Sequence, residues 1–160
     1  MRSVPMGSKE SNLILFPAGG NAVEARDAIG EAYAFLGFMD DDLEKQRALL
    51  HGFPVRSRSL AQEYPTSKIL AVPGTEKNHR SRLQLIASLG IDPSRWATIV
   101  HPHASVSRYA KIGKNVLIMA GAVVSAGATI EDHVVLLPQA TVHHDARIGS
   151  GTLIAASATI

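Results

Sequence analysis

Residues 100–124 read VHPHASVSRYAKIGKNVLIMAGAVV, and in this stretch an aliphatic residue returns at every sixth position. The spacing continues to the last residue, and all eleven residues on it are aliphatic: Val100, Val106, Ile112, Ile118, Val124, Ile130, Leu136, Val142, Ile148, Ile154 and Ile160. Four residues after each of the first ten comes a residue that is small or β-branched. Neither the period of about 3.6 residues of an α-helix nor the period of two of an amphipathic strand produces this pattern. The stretch is therefore a hexapeptide repeat.

The repeat predicts a parallel β-helix with three short faces, in which three hexads, or about 18 residues, complete one coil. The aliphatic residue of each hexad fills the interior, and the small residue four positions later lies near a corner where the chain turns. Successive coils stack at the strand spacing of about 4.8 Å. We therefore expect matching side chains to form ladders along the axis.

The sequence before the repeat differs from it in charge content and in hydrophobic pattern. Residues 1–98 contain 12 Lys or Arg and 11 Asp or Glu, whereas residues 99–160 contain 4 and 3. Strand patterns (NLILF, AFLGFM, KILAVPG) alternate there with helical patterns (NAVEARDAIG, RLQLIASLG). This order predicts a flexible segment over residues 1–12, a small parallel, Rossmann-like α/β sheet over residues 13–98, and the β-helix over residues 99–160.

Composition narrows the function. The chain is 46% hydrophobic and contains no cysteine, so it should fold, and disulfides, thiolate zinc sites and cysteine nucleophiles are excluded. The net charge is only +2 and basic residues interleave with acidic ones, so no nucleic-acid partner is predicted. No apolar run approaches the roughly 20 residues that span a membrane, and the N-terminus lacks the apolar core of a signal peptide. We therefore expect a cytoplasmic protein without a membrane partner.

The loop PAGGN, residues 17–21, follows the first strand, and ligands of open parallel sheets bind at the carboxyl ends of strands. Gly19 and Gly20 let the backbone approach a ligand, and the helix that follows offers unpaired N–H groups to phosphate. The same residues also suit an ordinary tight turn between a strand and a helix. A loop around Gly74 follows the third strand at the same edge.

Three aspartates follow the second strand. Asp40 and Asp41 can accept hydrogen bonds from a base or a ribose. Asp42 precedes the helical-looking LEKQRALL, and there a helix cap is the favoured interpretation.

His143, His144 and Asp145 occupy positions of the repeat that point away from its interior. A histidine on the outside of a β-helix is more often inert than catalytic. An adjacent carboxylate, however, can hold an imidazole in one tautomer and stabilise its protonated form, as a general base near neutral pH requires. His144 with Asp145 is therefore a candidate base, and a metal site shared by His133, His143 and His144 of neighbouring subunits is the second interpretation.

These motifs together resemble a known family. The strand-GGN-helix start, the FMDDD strand end, the entry IVHPHASVSRYAKIG and the element VHHDARIG are similar to those of the sugar acyltransferases of bacterial glycan synthesis. That family includes sialic acid O-acetyltransferases and N-acetyltransferases that act on nucleotide-linked amino sugars. The resemblance extends from about Leu13 to Ile160. It implies a left-handed β-helix, a homotrimer with active sites between adjacent β-helices, and metal-free transfer of acetyl from acetyl-CoA to a sugar amine or hydroxyl.

The resemblance also implies roles for single residues. The family's catalytic histidine corresponds to His144, and Asp145 would polarise it. The candidate residues for holding the nucleotide-linked sugar are Gly19, Gly20, Asn21, Asp40, Asp41 and Gly74.

The sequence also departs from the family pattern. Asn21 stands where the family commonly has histidine, Leu137-Pro138-Gln139 stands where it has Asn-Thr-Gly, and Leu153 replaces a second histidine found in some members. The family's β-helix runs several coils further, so we expect a C-terminally truncated chain. Two alternatives remain open: a fragment that binds sugar nucleotides without catalysis, and a hydratase-like metalloenzyme of the same repeat class.

Overall fold

The computed structural model describes residues 11–30, 32–75 and 78–160. Residues 1–10 of the flexible segment expected over residues 1–12 lie outside the described residues. Asn12, the last residue of that segment, belongs to the first strand. The elements in chain order are β1 (Asn12–Phe16), α1 (Gly20–Ile29), β2 (Ala34–Met39), β3 (Leu49–Leu50), β4 (Phe53–Arg56), α2 (Ser59–Glu63), β5 (Lys68–Ala71), α3 (Arg82–Ala87), β6 (Ile99–Val100), β7 (Ser105–Val106), β8 (Lys111–Ile112), β9 (Leu117–Ile118), β10 (Val123–Val124), β11 (Thr129–Ile130), β12 (Val135–Leu136), β13 (Thr141–Val142), β14 (Arg147–Ile148) and β15 (Leu153–Ile154).

The first five strands form one sheet in the order β3-β4-β2-β1-β5. β1, β2, β4 and β5 run parallel, and β3 pairs antiparallel with β4 at the edge. The three central residues of β1, Leu13 to Leu15, are completely buried, because the strand has a neighbour on each side and is covered on both faces. The predicted parallel strands are therefore present.

The chain between β2 and β5 differs from the sequence interpretation. LEKQRALL forms a single 3₁₀ turn, Lys45–Arg47, and its last two residues pair with Phe53 and Pro54 as β3. Asp42 is not the cap of that turn, because Glu44 occupies the cap position and no side chain there makes a capping hydrogen bond. Asp42 Oδ1 instead accepts a hydrogen bond from the Glu44 N–H at 2.9 Å, just before the turn begins. The helix predicted up to Gly90 ends earlier, at Ala87.

The second half is a parallel β-helix of two-residue strands. Its three faces are the first face (β6, β9, β12, β15), the second face (β7, β10, β13) and the third face (β8, β11, β14). Val123 pairs with Ser105 on one side and with Thr141 on the other, so each coil takes the 18 residues that the repeat predicts. The interior residues Val124, Ile130 and Val142 are at most 1% exposed.

The two halves share a core along the first face. Its outward residues Ile99, Leu117 and Val135 are buried in one cluster with Ala22 and Ala25 of α1. A parallel bridge between Ile69 of β5 and Trp96 extends the sheet towards the repeat. The corner between the second and third faces therefore lies on the opposite side of the β-helix from the α/β sheet.

Candidate active site

His144 and Asp145 form the turn that joins β13 to β14, at the corner between the second and third faces. His144 Nδ1 lies 3.0 Å from Asp145 Oδ2, and the two side chains are 75% and 81% exposed. A carboxylate can only accept a hydrogen bond, so this contact places the imidazole proton on Nδ1. The lone pair of Nε2 is then available to take a proton from a substrate.

The backbone fixes this turn on the coil before it. The Asp145 N–H donates to the carbonyl oxygen of Ala126 at 3.1 Å, and Asp145 has a left-handed φ of 60°. The ring of His143 meets that of His144 edge-on, with centroids 6.1 Å apart. His133 lies at another corner, between the third and first faces, where its Nδ1 is 3.0 Å from Asn115 Nδ2. Within one chain, His133 therefore does not join the other two histidines.

A cavity of about 540 Å³ opens at the carboxyl ends of β1, β2 and β5. Its size suits a ligand rather than a single ion. Three of the predicted binding residues, Gly19, Asp40 and Asp41, line it. The remaining wall residues are Phe16, Pro17, Ala18, Asp42, Lys45, Thr75, Asn78 and Leu85.

Both predicted carboxylates in this wall are already paired with cations. Asp40 is 6% exposed, and its Oδ2 accepts from Lys45 Nζ at 2.7 Å. Asp41 accepts from Arg58 Nε at 2.7 Å and from Nη2 at 2.6 Å, and this hydrogen bonding raises the pKa of Arg58. The cavity therefore presents less negative charge than three aspartates in a row indicate.

Lys45 is the cationic wall residue that the sequence interpretation missed. Its Nζ also donates to the Ala18 carbonyl at 2.7 Å, so the side chain connects the loop after β1 to the loop after β2. In the sequence this lysine lies within the helical-looking LEKQRALL. Its position three residues after a run of aspartates was the signal for an ion pair at the strand end.

The other predicted residues lie beside the cavity; among the described residues, its wall does not include Gly20, Asn21 or Gly74. Gly20 begins α1 and is exposed. Asn21 Nδ2 donates to the Val72 carbonyl at 3.2 Å. A Cβ on Gly74 would come within 2.5 Å of Leu153 Cδ1 and 2.7 Å of Asn21 Nδ2. These residues thus hold the loop after β5 against α1 and β15.

The repeat matches a known family. Residues 109–143 and 127–160 match the family described as bacterial transferase hexapeptide (six repeats). This match and the three parallel sheets are consistent with a left-handed β-helix. No curated protein sequence matches the chain.

Solved structures of acetyltransferases resemble more than nine-tenths of the chain. The acetyltransferase domain of PglB from Neisseria gonorrhoeae FA1090 is 28% identical with a TM-score of 0.69, over 92% of this chain and 81% of that one. The same domain in complex with acetyl coenzyme A gives 26% identity and a TM-score of 0.64, over 96% and 85% of the two chains. PerB from Caulobacter crescentus, in complex with CoA and GDP-perosamine, shares the fold at 16% identity and a TM-score of 0.56, over 95% and 92%.

No three His, Asp or Glu side chains between residues 11 and 160, outside the undescribed positions, converge in a way that could hold a metal ion. In the same part of the chain, no helix is long and apolar enough to cross a membrane.

Proposed function

We propose that this protein transfers an acetyl group from acetyl-CoA to an amine or hydroxyl of a sugar. The proposed acceptor is a nucleotide-linked amino sugar or a sialic-acid-type sugar. The observation that carries the proposal is the hydrogen bond between His144 Nδ1 and Asp145 Oδ2 on the β-helix. The likeness to the PglB acetyltransferase domain, which binds acetyl coenzyme A, supports the acyl donor. The cytoplasm stays the predicted compartment.

In this reaction His144 is the general base. Its Nε2 takes the proton from the sugar amine or hydroxyl as that group attacks the thioester carbonyl. The tetrahedral intermediate then collapses, the C–S bond breaks, and the imidazolium returns the proton to the CoA thiolate. Asp145 keeps the first proton on Nδ1 and stabilises the imidazolium that forms. The step needs no metal.

The cavity beside β1 and β2 is the proposed nucleotide site. Gly19 forms part of its wall with extended backbone, and a Cβ built there meets no atom within 4 Å. The half-exposed side chain of Lys45 lies in the same wall, where its positive charge can attract a diphosphate. Gly20, Asn21 and Gly74 support this site from the neighbouring loops.

A thiol-release assay tests the proposal. The chain has no cysteine, so a thiol-reactive chromophore reports CoA without background from the protein. We expect acetyl-CoA turnover with a panel of UDP- and GDP-linked amino sugars, and a loss of about 10²- to 10⁴-fold in His144→Ala. The matched control is His103→Ala, which removes an exposed histidine from another corner and should keep the activity.

Three results would contradict the proposal. Unchanged turnover in His144→Ala would remove the histidine from the mechanism. Calorimetry showing binding of nucleotide sugar without any binding of acetyl-CoA would favour the non-catalytic fragment instead. Stoichiometric zinc, iron or cobalt in active protein would point to the metalloenzyme.

A further inference from the structure

Gly127 lies one coil below Asp145, at the same corner of the β-helix. The neighbouring strands are in register, with Val124 paired to Val142, so the turn around Gly127 stacks directly under the turn that carries the dyad. A Cβ built on Gly127 would overlap Asp145 Oδ1 and would come within 3.2 Å of its Cγ. The Asp145 carboxylate therefore occupies the space that a side chain at position 127 would fill.

The backbone alone does not demand glycine at this corner position. Gly127 has a φ of 75°, and Asn115, Gln139 and Ser157 adopt φ values of 54°, 62° and 59° at equivalent turns. The left-handed region is unfavourable for a non-glycine residue, but this fold places such residues there repeatedly. The specific obstacle to a side chain at position 127 is the carboxylate above it.

We infer that Gly127 is a positioning residue for the base, an inference that rests on the proposed function. Asp145 Oδ1 lies where the Cβ of a residue at position 127 would be, and Oδ2 lies in hydrogen-bonding range of His144 Nδ1. A methyl group at position 127 displaces the carboxylate into another rotamer and breaks that hydrogen bond. The imidazole then loses the partner that holds its proton on Nδ1, and Nε2 stops being the basic nitrogen.

Nitrogen-15 NMR of the histidine rings tests this without any substrate. At alkaline pH the neutral imidazole of His144, assigned with His144→Gln, should carry its proton on Nδ1 in the wild type. In Gly127→Ala the proton should shift towards Nε2 to the same extent as in Asp145→Ala. The matched control is Gly121→Ala, which has a φ of 69° but faces Gln139 Cγ at 3.2 Å. An unchanged tautomer in Gly127→Ala would overturn the inference.

Kinetics give a second, independent readout. In Gly127→Ala we expect kcat to fall about tenfold to hundredfold with little change in KM, because a base that is out of place affects the chemical step. The double variant Gly127→Ala/Asp145→Ala should lose no more than Asp145→Ala alone, since both changes remove one contact. Additive losses would show a general structural effect and would contradict the inference.

Measuring whether the same variants fold decides the case in which Gly127→Ala gives no folded protein. If Gly127→Ala does not fold, the double variant decides: recovery of folding identifies the collision with Asp145 as the cause, and failure overturns the inference. A tautomer shift in protein that transfers no acetyl group would refute the proposed function while leaving the positioning of His144 by Gly127 intact.

Discussion

Arg82 carries a positive charge where only 3% of its surface meets solvent. Its Nε donates to the Pro73 carbonyl at 2.9 Å, and its Nη1 lies 2.9, 2.6 and 3.0 Å from the carbonyl oxygens of His133, Gly151 and Thr152. Burial lowers its pKa to about 10, so the guanidinium stays protonated at neutral pH. One side chain thus ties α3 and the loop after β5 to two successive coils.

Replacing this arginine should destabilise the whole chain. Arg82→Met keeps the length of the side chain but leaves the buried carbonyls without their donor, so we expect a loss of about 2–4 kcal/mol in the free energy of unfolding. Urea denaturation measures it. The control is Arg108→Met, which removes an exposed guanidinium 4.8 Å from the Tyr109 ring and should change stability by less than about 0.5 kcal/mol. Equal losses in the two variants would show that the carbonyl contacts contribute little.

The corner between the third and first faces joins the β-helix to the sheet. Asn115 is completely buried; its Oδ1 accepts from the Ala71 N–H at 2.7 Å and its Nδ2 donates to the Ala71 carbonyl at 2.8 Å. The same Nδ2 lies 3.0 Å from His133 Nδ1. Because an amide nitrogen can only donate, the ring nitrogen must accept and is unprotonated. The Asn115 side chain therefore pairs with the backbone of Ala71 in β5, as a neighbouring strand would. Its contact with His133 requires that the histidine is neutral.

His133 should make stability depend on pH. Burial is the main cause that lowers its pKa, and Arg82 lowers it further while Asp132 raises it. Since the folded pKa is depressed, the unfolded state binds the proton more readily. The stabilisation by neutral His133 is complete above about pH 6.5 and is lost as the pH falls below it.

Urea unfolding at about pH 7.5 and about pH 5.5 checks this linkage. Wild-type protein should lose more stability between the two values than His133→Asn, because asparagine adopts the left-handed φ of 63° and does not titrate. Asp132 and Arg82 are present in both proteins, so the difference isolates the histidine. Identical losses would contradict the prediction.

The strict period of six made the β-helix predictable, while the sheet was predictable only where strands are long and apolar. β3 has two residues and β4 carries Pro54, so neither shows a strand pattern. β3 lies at the edge of the sheet and β4 lies next to it, between β3 and β2. The sequence also contains a signal for the face of the β-helix that packs against the α/β sheet. The outward residues Ile99, Leu117, Val135 and Leu153 are apolar at an interval of 18 residues, and they mark the face that packs against α1.

The candidate site was also predictable only in part from the sequence. The adjacency of His144 and Asp145 indicated a dyad, whereas their contact depends on Gly127, which lies 18 residues earlier and can be located only once the coil length is known. The cavity wall combines Thr75 and Asn78 with residues near position 18, and no local pattern links such distant segments. Arg82 likewise binds carbonyl groups, which carry no sequence signal.

The arrangement of the whole chain separates the dyad from the cavity. The α/β sheet, with its cavity, covers the first face of the β-helix, whereas His144 lies at the corner opposite that face. Under the proposed function, a sugar held by the nucleotide site must reach the base. The homotrimer that the family resemblance implies, with active sites between adjacent β-helices, would bring the cavity of a second copy to this corner.

Mixing two inactive variants tests this sharing of sites. Gly19→Leu places a side chain in the cavity, where a Cβ meets no protein atom within 4 Å, so it blocks the nucleotide site without disturbing the fold. Co-expressed in equal amounts with His144→Ala, it should restore about a quarter of wild-type activity, because about one interface in four joins an intact cavity to an intact base. Gly149→Leu, equally free of contacts but on the β-helix, controls for the added leucine. Mixtures as inactive as the separate variants would place both halves of the site within one chain, and sedimentation of the same samples would show whether the assembly is a trimer.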